Sequence, residues 1–110
     1  MMKIINDSYT FLGEVIFSIL PTKQAQKFTA GDTTPKVLNN ENWICNNTGA
    51  ITVTNFDNGA TCQVIKLLGD GFTTVANNAA IKTNTGANKL LAVNKIYTFH
   101  FINGVWYENA

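Results

Sequence analysis

The chain has 110 residues, 45% hydrophobic, 11% aromatic and only 14% charged, with a net charge of +1. That is one domain's length; the chain is charge-poor against a usual share of roughly 25%, yet has enough apolar and aromatic surface to fold. All eight basic residues are Lys, which with a charge of +1 argues against a nucleic-acid binder, and 15 Asn and 14 Thr favour turns and sheets over a helical bundle.

Tyr9, Phe11, Val15, Phe17 and Ile19 share one side of a period-2 pattern, against Thr10, Glu14 and Ser18. The segment reads as a strand or hairpin, with a short helix as the alternative. Pro21 closes it. Glu14 and Ser18 interrupt the apolar run and no small-residue cleavage pattern follows, so no signal peptide is expected. The run is also too short for a membrane-spanning helix. Residues 21–27 are polar and read as a linker or extended arm.

Short strands follow in quick succession. They are predicted at Lys27–Ala30, then after a Gly31-Asp32 turn at Asn42–Asn46, Ala50–Thr54, Cys62–Leu68 and Phe72–Ala76. Further strands are predicted at Ala80–Thr83, Lys89–Val93, Ile96–Ile102 and Val105–Glu108. Asn58-Gly59 marks a turn, and Asp70-Gly71 and Asn103-Gly104 are read as two-residue hairpin turns. Turn signals about every ten residues indicate an all-β sandwich or barrel-like fold.

Few residues can carry chemistry. Ser8 and Ser18 are the only serines, and His100 is the only histidine, in mid-strand between Phe99 and Phe101. It reads as a surface or interface residue. Cys45 and Cys62 read as reduced, buried thiols; with one histidine and no CxxC, no zinc site is expected. Asp32, Asp57 and Asp70 fall in turns, so nothing fixes a carboxylate pair. The chain is expected to be no enzyme and to need no metal or cofactor. Trp43, Trp106 and Tyr107 could form a sugar platform, but at strand positions they read first as core or subunit interface.

The stretch from Phe28 to Val37, the run Thr54 to Gly59 leading into Gln63-Val64-Ile65-Lys66-Leu67, the segment Gly69 to Val75, and Tyr97 to Glu108 occur in order. Together they resemble a small β module of phage virion proteins, of the tail spike, tail fibre and head fibre or decoration type, over about residues 26–110. The resemblance implies an antiparallel β-sandwich or β-prism-like head assembled as an intertwined homotrimer. One departure is that an acidic-Gly pair often precedes the Gln, where this chain has Thr61-Cys62, which bears on the local turn.

The organisation expected is an N-terminal attachment arm, residues 1–25, and a trimeric head, residues 26–110. Because the chain is short and opens on Met, it is expected to be a separate protein, not the tip of a long spike. Tyr9, Phe11, Val15, Phe17 and Ile19 would dock on the capsid or another virion protein. Trp43, Ile51, Val53, Phe56, Ile65, Leu67, Phe72, Tyr97, Phe99, Phe101, Trp106 and Tyr107 would form the subunit core or interface. The resemblance places the protein on the virion surface after assembly in the host cytoplasm, without nucleic acid or membrane insertion. The alternative is a tail fibre or spike module that recognises a host surface glycan.

Overall fold

The computed structural model describes residues 24–110. The expected attachment residues Tyr9, Phe11, Val15, Phe17 and Ile19 lie outside that range. The described residues form nine strands and no helix: β1 (Gln26–Lys27), β2 (Asn42–Ile44), β3 (Ile51–Val53), β4 (Val64–Leu68), β5 (Thr73–Val75), β6 (Ile81–Lys82), β7 (Lys89–Leu90), β8 (Ile96–Ile102) and β9 (Val105–Glu108). They make a six-stranded sheet in the order β1-β2-β4-β8-β9-β6 and a three-stranded sheet in the order β3-β5-β7.

From β2 to β8 the chain changes sheet at every step. A strand therefore meets its next neighbour in the same sheet only after a visit to the other. β2–β4 and β3–β5, each separated along the chain by one strand of the other sheet, are parallel, as are β1–β2 and β9–β6. Only β4–β8, β8–β9 and β5–β7 are antiparallel. The expectation of an antiparallel sandwich is corrected to a mixed one, because parallel neighbours need crossover connections and this chain supplies most of them through the opposite sheet. The Lys36–Asp57 bridge continues the parallel winding outside the strands.

Asp70-Gly71 is the second correction. A type I′ hairpin needs positive φ at both central residues. Gly71 has a φ of 81°, whereas Asp70 is not in the left-handed region. The segment turns a corner from β4 in one sheet to β5 in the other. The Asp70 carboxylate accepts from the amides of Asn47, Phe72 and Thr73 and from the Thr73 hydroxyl, all at 2.8–2.9 Å. Gly69 at the same corner leaves no room for a side chain: a Cβ there would lie 2.1 Å from the Ala92 carbonyl oxygen. Asn103-Gly104, by contrast, is the expected hairpin, with φ of 53° and 79° and Val105 opposite Ile102.

The inner faces meet in one apolar core. Val53 and Val75 come from the three-stranded sheet, and Ile65, Leu67, Ile81, Phe99 and Trp106 from the six-stranded one. Phe28, Val37, Phe56 and Leu91 arrive from connecting segments. Trp43, Phe28, Phe56, Trp106 and Phe101 run through it as a chain of ring contacts, with centroids 4.6–6.4 Å apart. Ile51, Trp43, Tyr97 and Phe101 are half-buried against it. Phe72 and Tyr107 lie outside this core: both are 43% exposed, Tyr107 on the outward phase of β9 and Phe72 just before β5, next to the inward-pointing Thr73.

Candidate functional site

The outer face of the six-stranded sheet holds an open groove of about 940 Å³. Strand alternation sends Ile65, Leu67 and Phe99 inward, and so sends Val64, Lys66, Thr98 and His100 outward as the groove floor. Val64 pairs with His100 and Lys66 with Thr98 across β4–β8. Leu38 to Glu41 form one wall, and Asn58, Ala60 and Gln63 close an end.

The walls are fixed by amides. The Gln63 side chain donates to the carbonyls of Val37, at 2.7 Å, and Asn40, at 3.2 Å, and accepts from the Ala60 amide. Asn40 is itself buried and donates to the carbonyls of Gln24 and Asn42. Lys66 and Glu41 form an ion pair at 2.9 Å with both side chains about half exposed, a setting in which such a pair adds at most about 1 kcal/mol. The Thr98 hydroxyl and the His100 imidazole face the groove with no hydrogen bond to another described residue. Such a groove presents hydrogen-bonding groups to a polar ligand.

The sugar platform imagined from Trp43, Trp106 and Tyr107 does not exist. Trp106 is fully buried and its indole N–H donates to the Phe56 carbonyl at 3.1 Å. Tyr107, the next residue on the strand, points the other way, toward His100. Trp43 stacks on Phe28 at 4.9 Å and gives its N–H to the Asn40 carbonyl.

The thiols separate as well. Cys45 is buried against the Asp70 corner; burial, and next the nearby Asp70 charge, push its pKa up to about 11. At neutral pH it is an inert thiol, a poor partner for the Cys-His pairing that a nucleophile needs. Cys62 is exposed, which corrects the expectation that both are buried. It sits at a φ of 65°, in a turn closed by the Gln63 amide on the Ala60 carbonyl. This is the position where the resembled module often has Gly, so Thr61-Cys62 keeps the turn and places a side chain in a glycine conformation.

Two further groups were invisible as partners in the sequence. Lys89 and Glu108 pair at 2.9 Å with side chains only 18% and 4% exposed. Glu108 also accepts from the Asn84 amide, and Lys89 donates to the Asn84 side chain. This network ties the loop before β7 to the end of β9. It lies on a structural seam, not in the groove. Among the described residues no helix is long and apolar enough to cross a membrane.

Residues 22–107 match a family model described as the phage depolymerase C-terminal beta sandwich domain. No curated protein and no solved structure matches the chain.

Proposed function

The chain belongs to the family of phage depolymerase C-terminal beta sandwich domains, and we propose that it is a homotrimeric virion fibre module that works by assembly and attachment, without catalysis. Family membership makes it a phage virion structural component. The finer reading is a head fibre or decoration protein, docked on the capsid or another virion protein through residues 1–25, with the sandwich projecting from the particle.

One observation carries the assembly. The sandwich closes its own core, yet Leu38, Phe72, Leu90, Val93, Ile96, Ile102 and Tyr107 remain 43–68% exposed. So many large apolar side chains on one small domain are the surplus that association buries. Native mass spectrometry tests the trimer: a mass three times that of the chain is expected, and a monomer at micromolar concentration refutes it. Deleting residues 1–20 should leave the trimer intact and abolish particle binding. Continued decoration of particles by the deleted protein overturns the attachment role.

A second reading, a tail fibre or spike module that recognises host surface glycan, is favoured by the groove, where Thr98 and His100 face solvent unpartnered. Glycan-array binding lost in His100→Ala supports it; binding unchanged in that variant removes the groove from consideration.

A further inference from the structure

We infer that the outer face of the three-stranded sheet is the surface on which copies of this chain meet around the threefold axis. This rests on the homotrimer reading and names the face that makes it. On that side of the sheet Thr52 pairs with Thr74, and Thr74 with Leu90. One pleat further along the same side come Ala50, Phe72 and Ala92. Leu90 is 54% and Phe72 43% exposed, while their inward-pointing neighbours Thr73, Val75 and Leu91 are buried. None of the six outward residues is charged.

The competing surface is the outer face of the six-stranded sheet, which also exposes Ile96 and Ile102. Symmetry separates the two. A threefold axis presents each side chain of an inward face three times, so any charge there meets two copies of itself. The six-stranded face carries Lys66 and Lys82, and Lys82 has no ion-pair partner among the described residues. Turned to the axis, it would bring together three copies of the unpaired Lys82 ammonium, which like-charge repulsion disfavours, and desolvate three copies of the Lys66–Glu41 pair. The three-stranded face brings together only methyls, a phenyl ring and threonine hydroxyls. Thr74 and Phe72 lie on or beside the central strand β5, with Thr52 and Leu90 on the strands either side, and the threonine hydroxyls can hydrogen-bond across copies. The larger sheet and its polar groove then face solvent.

The test compares the full-length chain with Leu90→Lys, Thr74→Lys and Ile96→Lys by native mass spectrometry over a concentration series, with circular dichroism confirming the fold. A trimeric parent, at least a tenfold loss of trimer in Leu90→Lys and Thr74→Lys, and a trimeric Ile96→Lys are expected. Thr74→Lys decides the matter if Leu90→Lys does not fold. Folded trimers of both face variants overturn the assignment, as does dissociation caused by Ile96→Lys. A monomeric parent instead defeats the homotrimer itself, a result distinct from a trimer built on the other face.

Discussion

Replacing Cys62 by glycine should make the protein more stable, although it removes a side chain. Cys62 holds a φ of 65°, a left-handed conformation that crowds Cβ against the following carbonyl and costs about 1–2 kcal/mol in a non-glycine residue. Glycine removes that cost but adds about 0.5–1 kcal/mol of chain entropy lost on folding. Nothing else changes sides: the thiol is exposed, and the Cys62 amide keeps its bond to the Phe101 carbonyl at 2.8 Å. The net gain is about 0.5–1 kcal/mol, a rise of roughly 2–8 °C in Tm for a domain of this size. Cys62→Ala keeps Cβ and should leave Tm within a degree or so, and Cys62→Val should lower it. Thermal unfolding followed by circular dichroism, at one protein concentration and under reducing conditions, measures all three. If Gly lowers Tm below that of Ala, the turn is not strained and the argument fails.

Three other perturbations probe the corner and the seam. Gly69→Ala puts a methyl group against backbone, 2.1 Å from the Ala92 oxygen, and should cost about 3 kcal/mol or more; Gly49→Ala, which meets nothing within 4 Å, should be close to neutral, and equal urea midpoints for the two would refute the close approach. Glu108→Ala strands the largely buried Lys89 ammonium and should cost about 3 kcal/mol, with the Lys89→Ala/Glu108→Ala double variant losing less than the sum of the singles in urea titrations. At Asp70, burial opposes the charged form, but the bonds from Asn47, Phe72 and Thr73 outweigh it and hold the pKa below 3.8. A carboxylate depressed on folding stabilises the protein above its unfolded pKa, and that contribution disappears as pH falls through the folded value. The urea midpoint should therefore drop below about pH 4, and Asp70→Asn should show a smaller drop over the same range.

The sequence spelled out what local chemistry decides. The β8–β9 hairpin is read to the residue, because a seven-residue alternation ends at Asn103-Gly104, where both residues can take positive φ. Ile65 and Leu67 are placed inward by the same alternation. Sheet membership is not local, and there the reading fails. An Asp-Gly pair serves a hairpin through two positive φ angles, or a corner through the Asp carboxylate capping the next amides; Asp70 does the second. The strands beside such corners come out shorter than predicted, as in Phe72–Ala76 against the observed Thr73–Val75, since ladder bonds stop where the chain leaves for the other sheet. Alternation fixes that Trp106 and Tyr107 point apart, which already forbids a platform made of both. What it leaves open is which of the two points inward. The groove and the Lys89–Glu108 seam escape the reading because their residues come together only through the crossovers.

That winding also explains why so much rests on a few corner residues. Of the seven ladder pairings among the described residues, β8–β9 alone is a hairpin; every other pair is joined by a longer path, most often through the opposite sheet. Neither sheet can therefore form, or come apart, as an independent unit: ordering β2–β4 carries β3 across, and ordering β3–β5 carries β4. The Asp70 carboxylate bonds Asn47, on the path out of β2, and Phe72 and Thr73, at the start of β5. One side chain thus clamps two crossings from the six-stranded sheet into the three-stranded one. A module wound this way resists piecemeal opening. Such a winding suits the assembly proposed for the three-stranded face.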